Sequence, residues 1–110
     1  MFEPIEITFK DQSLKVPANR VFGLIASIEE HITITELYDK PKNTAIAKAY
    51  AAAVNYAGGD ASVNDVYSML FDAQGALNIR NAIQSLILMM IPPEHLQQKS
   101  EPQEKKPKPD

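Results

Sequence analysis

Cysteine is absent from the 110 residues. That excludes a disulfide framework, a thiolate metal site and a thiol nucleophile, and it suits a reducing compartment. Basic charge is also scarce where a fold can form. Residues 1–91 carry ten acids and seven bases, a net charge of −3. A phosphate-binding surface needs clustered Lys and Arg, and the one dense basic group, Lys105, Lys106 and Lys108, lies among prolines near the C-terminus. No nucleic-acid partner is expected. The longest apolar run, Leu86 to Ile91, has six residues, far short of the roughly 20 a spanning helix requires. The start, Met1-Phe2-Glu3-Pro4, lacks the basic-then-apolar order of a secretory signal. These absences predict a cytoplasmic protein with no membrane partner.

Catalytic patterns are missing as well. No G-x-S-x-G elbow, H-E-x-x-H pair or Walker-type loop occurs. His31 falls at an expected helix end, where an imidazole can meet the helix dipole or simply be solvated. Adjacent Glu29 and Glu30 would point about 100° apart on a helix, so they form no paired-carboxylate site. Gly58-Gly59-Asp60 has no following Lys and no preceding strand, and reads as a helix stop. A non-enzymatic protein without a cofactor or metal is therefore expected.

The elements themselves are legible. Ile5, Ile7 and Phe9 alternate with Glu6 and Thr8, and Leu14 and Val16 flank Lys15. Both runs read as half-buried strands, joined by a turn over Lys10-Asp11-Gln12-Ser13. A lone hairpin is marginal in water, so its apolar face needs a partner layer. The next segment supplies one: Val21, Phe22, Leu24, Ile25 and Ile28 follow helical spacing from Pro17 to about His31. Thr33-x-x-Glu36 has the form of a capping box, although the β-branched run Ile32 to Thr35 equally permits an extended segment over 32–40. An alanine-rich helix is expected from Asn43 or Thr44 to Ala57, with Ile46, Tyr50, Ala53, Val54 and Ala57 on one side and Gly58-Gly59 as its stop. Ser62-x-x-Asp65 caps another helix with a stripe of Val63, Val66, Tyr67, Leu70 and Phe71. The last helix runs from Ala76 to about Met90, with Leu77, Ile79, Ile83, Leu86, Ile87 and Met90 inward, and Pro92-Pro93 stops it.

The expected architecture is mainly α with a short N-terminal β-hairpin: a folded domain over 1–91 and a disordered Pro/Lys/Glu-rich tail over 92–110. The tail holds five of the eight prolines and one apolar anchor, Leu96, too little to offset the entropy of ordering it.

Leu86, Ile87, Leu88, Met89, Met90 and Ile91 carry the functional expectation. An amphipathic helix turns about half of six consecutive positions inward, yet all six are apolar. Either the helix is buried on two sides, or Leu88 and Met89 belong to a surface that another chain covers. Methionine suits the second reading, because its flexible thioether adapts to irregular partners. The six residues form the candidate partner-binding set, and self-association through the same surface is expected.

The order of features resembles a known family. An N-terminal hairpin (Ile5 to Val16) precedes a helix with Phe22-x-x-Ile25-x-x-Ile28-Glu29. An Ala-rich helix ending in Ala57-Gly58-Gly59 follows, and then Ser62-x-x-Asp65-Val66. Over roughly residues 5 to 90 this is similar to the small tail assembly chaperones of long-tailed phages, including the gene-transfer-agent type. It departs at the turn, where that family often has Asp-Gly and this chain has Asp11-Gln12-Ser13. The resemblance implies a protein that coats the hydrophobic tape-measure protein and keeps it soluble until the tail tube forms. It also implies a frameshift-extended form sharing the N-terminal domain, for which an A-rich codon run at Lys105-Lys106 would be the signature. The competing expectation is a small helical adaptor, antitoxin or regulator. A winged-helix variant would need a basic recognition helix, and none of the expected helices is basic.

Overall fold

The structure, a computed structural model, describes residues 2–91. The tail expected over 92–110 lies outside the described residues. The fold is mostly helical with an N-terminal hairpin, in the order β1 (Ile5–Phe9), β2 (Gln12–Val16), a 3₁₀ turn (Ala18–Arg20), α1 (Val21–Glu29), α2 (Ile34–Tyr38), α3 (Asn43–Tyr56), α4 (Val63–Leu70) and α5 (Gly75–Met90).

The two strands pair antiparallel, with Ile5 opposite Val16 and Phe9 opposite Gln12. The turn is tighter than the sequence suggests. It consists of Lys10 and Asp11 alone, at φ 47° and 66°, while Gln12 and Ser13 join β2. Two successive positive φ values match the twist of a two-residue hairpin loop. Strand alternation puts Ile7, Phe9 and Val16 in the core and leaves Glu6, Thr8 and Lys15 exposed. On the outer face the Ser13 hydroxyl donates to the Glu6 carboxylate.

Helix boundaries follow local chemistry. Pro17, at φ −64° and ψ 158°, opens the 3₁₀ turn, so α1 proper starts at Val21 rather than beside the proline. Thr33 and Glu36 form the reciprocal capping box: Thr33 N–H donates to Glu36 Oε1 at 2.8 Å, and Glu36 N–H donates to Thr33 Oγ1 at 3.1 Å. Those two bonds settle residues 34–38 as helix. Ser62 Oγ accepts from Asp65 N–H at 3.0 Å and starts α4. The end of α3 is a Schellman motif. Gly58 takes φ 104°, Gly59 N–H bonds the Val54 carbonyl at 2.9 Å, and Gly58 N–H bonds the Asn55 carbonyl at 3.1 Å. Gly59 lacks a side chain for a different reason: a Cβ there would lie 2.8 Å from the Leu14 side chain of β2.

α3 is the central element and packs against α1, α4 and α5. Its small residues allow this. Ala47, Ala49 and Ala51 are buried together with Ile46, Ala53 and Val54, so neighbours approach from several sides instead of the single stripe expected. After α3 the chain turns back through a side-chain clamp, in which Asn55 donates to the Ala61 carbonyl at 2.9 Å and accepts from its N–H at 2.6 Å.

Candidate functional site

Of the expected stripes, that of α5 is rotated and that of α4 is narrower than predicted. In α5 the inward set is Ala82, Leu86, Met89 and Met90, which recur at i, i+4, i+7 and i+8 as one helical face does. Ile79, Ile83 and Ile87 form its half-buried flank, and Leu77, expected inward, is 49% exposed. In α4 only Val66 and Leu70 are buried. Val63, Tyr67 and Phe71 are exposed, with the Tyr67 and Phe71 rings 4.9 Å apart. Phe22 of α1, expected in the apolar stripe, is 74% exposed.

The six candidate partner-binding residues therefore divide. Leu86, Met89 and Met90 belong to the core. Met89, expected beside Leu88 on the outer surface, is only 5% exposed. The reason is angular: successive residues on a helix are about 100° apart, so Met89 falls under the hairpin while Leu88 turns outward. Leu88 is 59% exposed, and Ile87 and Ile91 are half-buried beside it.

Leu88 is the hinge of this surface because three shallow concavities share it. One, of about 400 Å³, lies between α2 and α5 and is lined by Tyr38, Gln84, Ile87 and Leu88. A second, of about 250 Å³, is bounded by Phe2 to Ile5, Met89 and Ile91 as well as Leu88. The third, of about 280 Å³, separates β1 from α5, with Ile5 to Thr8 on one wall, Ser85, Leu88 and Met89 on the other, and Tyr50 at its base. The Tyr50 hydroxyl donates to the Thr8 carbonyl at 3.5 Å, and burial raises the Tyr50 pKa above 10.0.

Tyr38 and Phe2 are the contributors that sequence reasoning missed. Tyr38 is 64% exposed and reaches the site because the capping box fixes α2, which packs on α5. Its only sequence signal is its place one residue after buried Leu37. The concavities around Leu88 combine apolar and aromatic side chains with polar ones, Glu3, Glu6, Thr8, Gln84 and Ser85, a composition that can hold another apolar side chain. Among the described residues no cluster of three or more His, Asp or Glu could hold a metal ion, and no helix is long and apolar enough to cross a membrane. Comparison with known proteins returns no match to any family model, curated protein or solved structure.

Proposed function

We propose that this protein binds an apolar helical stretch of another polypeptide through the surface around Leu88 and keeps it soluble, acting as a phage tail assembly chaperone on the tape-measure protein in the host cytoplasm. The observation that carries the binding role is the meeting of Leu88 and Tyr38, both more than half exposed, in one concavity with Ile87. Single exposed apolar residues are ordinary, whereas neighbours from two elements that form one concave surface mark a contact site. Covering the exposed part of Leu88 and Tyr38 would contribute about 1–2 kcal/mol for each. That is weak for one copy, and many copies along one long client gain through avidity. The resemblance to tail assembly chaperones over roughly residues 5 to 90 supplies the client.

Co-expression tests the reading. The full chain is produced with a tape-measure segment that is insoluble alone, and the client's soluble fraction is measured. Wild type raises it, and Leu88→Glu and Tyr38→Glu lose the effect while retaining the wild-type melting temperature. A client that stays insoluble with the wild-type chain, or one rescued equally by both variants, rejects the assignment.

A further inference from the structure

The groove between β1 and α5 has a backbone feature that the client reading does not use. Across the two-residue turn Phe9 and Gln12 are the first opposed pair, which in such a hairpin exchanges both backbone hydrogen bonds. Alternation then assigns Ile7 with Leu14 and Ile5 with Val16 to bonded pairs. The N–H and C=O groups of Glu6 and Thr8 point away from β2, into the groove. The Tyr50 hydroxyl reaching the Thr8 carbonyl from that side agrees with this. Among the described residues no other backbone group pairs with this edge. A strand edge with no backbone partner, beside exposed Leu88, is a template for strand addition.

We infer that the β1 edge pairs antiparallel with β1 of a second copy of this chain, across a two-fold axis at Ile7, to make a four-stranded sheet. The sequence favours this occupant and this register. Centred on Ile7, Glu6 lies opposite Thr8 of the second copy and Thr8 opposite its Glu6. Both outward residues of each strand are then paired, giving four hydrogen bonds in which each Thr8 carbonyl accepts from the second copy on its remaining lone pair beside the Tyr50 hydroxyl, and no like charges face each other. Moving the axis to Glu6 would set two carboxylates directly opposite and place Pro4, which has no N–H, opposite Thr8. The ladder ends naturally on both sides, at Pro4 and at Lys10, whose φ of 47° turns the chain away. A two-fold axis perpendicular to the sheet keeps both cores on one face and brings the two Leu88 side chains toward each other beside the paired edge. This isologous geometry is the common one for dimers. The self-pairing does not rest on the client reading.

Sedimentation equilibrium of the full chain over a concentration series tests it, with thermal melting as a check on folding. Wild type dimerises. Thr8 is exposed, so its replacement leaves the core intact. Thr8→Lys sets a cation opposite each Glu6 and tightens the dimer, while Thr8→Glu sets an anion there and weakens it, each by roughly two- to thirty-fold in Kd for two symmetric pairs. Thr8→Pro removes the outward donor and yields a folded monomer. If Thr8→Pro does not fold, the Lys and Glu variants decide alone. A wild-type chain that is monomeric at millimolar concentration overturns the inference, as does a dimer whose Kd is the same in Thr8→Lys and Thr8→Glu. Client rescue that survives in Thr8→Glu while dimerisation falls separates this surface from the client site.

Discussion

Tyr56 and Arg20 hold each other through both their side chains and both their backbone carbonyls. The Tyr56 hydroxyl donates to the Arg20 carbonyl at 2.9 Å, and the Arg20 guanidinium lies 4.4 Å from the centre of the Tyr56 ring. The same guanidinium donates to the Tyr56 carbonyl at 3.5 Å. The pair ties the start of α1 to the end of α3 across 36 positions of chain. Gly23 makes room for it, because a Cβ there would lie 2.9 Å from the ring carbon bearing the Tyr56 hydroxyl. An exposed helical Gly→Ala change ordinarily stabilises by about 1 kcal/mol. Here the methyl would displace the tyrosine, forfeiting a hydrogen bond and a cation–π contact together worth about 1–2 kcal/mol, and would add overpacking strain. Gly23→Ala should therefore destabilise by about 1 kcal/mol in urea denaturation. In the Tyr56→Ala background the sign should reverse. A stabilising effect in both backgrounds would show that the tyrosine does not occupy this space.

Adjacent positions 88 and 89 should respond in opposite ways to the same charge. Leu88→Glu puts a carboxylate into water and should change stability by less than about 0.5 kcal/mol. Met89→Glu buries it between the hairpin and α5, and should cost about 3 kcal/mol or more. Urea denaturation of both variants measures the difference. Equal costs would mean that α5 is not rotated as described.

The local signals are the legible ones. Alternation over Ile5–Phe9, the Thr33 and Ser62 caps and the Gly58 stop each depend on a few neighbouring residues, and each forms as its chemistry dictates. The hairpin turn is two residues shorter than its sequence suggests because Lys10-Asp11 lacks the glycine that usually marks a positive φ. What is not legible is tertiary. Which arc of α5 faces inward depends on the placement of β1 and α3 against it, and a helix with Leu77, Ile79, Ile83, Ile87 and Leu88 offers several equally apolar arcs. The burial of Ala47, Ala49 and Ala51 depends on neighbours that have no signature in the alanines themselves. Tyr38 joins Leu88 only because α2 docks on α5, and the Asn55–Ala61 clamp looks in sequence like any loop asparagine. Half of the candidate set, Ile87, Leu88 and Ile91, therefore lies at the surface site, and the sequence around its partners Tyr38 and Phe2 does not say that they meet Leu88.

Tyr50 makes stability sensitive to alkaline pH. Its folded pKa is raised above 10.0 by burial, so near and above that pH the folded state holds the phenolic proton more tightly than the unfolded state. The stabilisation is complete below about pH 10 and is lost as pH rises from there through the folded value. Tyr50→Phe removes this dependence. Measured at about pH 8 and about pH 11, on either side of the ordinary phenol pKa, the variant should lose less stability between the two than the wild-type chain. A pH slope identical in both would show that the phenol is solvated.

Asp11 is the second of two turn residues held at positive φ. At φ 66° a side chain meets its own backbone, at a cost that falls from about 1–2 kcal/mol for most residues to less for Asp and Asn, and to none for Gly. Glycine also loses more entropy on folding, which offsets part of the gain. Asp11→Gly should thus stabilise by about 0.5 kcal/mol, and Asp11→Val, branched at Cβ and least suited to this region, should destabilise by more than about 1 kcal/mol. The neighbouring Lys10 gives a built-in comparison. Its pair with Asp65 spans 3.3 Å between two exposed side chains and contributes little, so Lys10→Asn, which puts a residue tolerant of positive φ where lysine is poorly suited, should stabilise by about 0.5 kcal/mol. Thermal melting of the three variants should place Asp11→Gly and Lys10→Asn above wild type and Asp11→Val lowest. If Asp11→Val melts with the wild-type chain, the turn is not left-handed and the strand register built on it, including the outward aim of Glu6 and Thr8, must be redrawn.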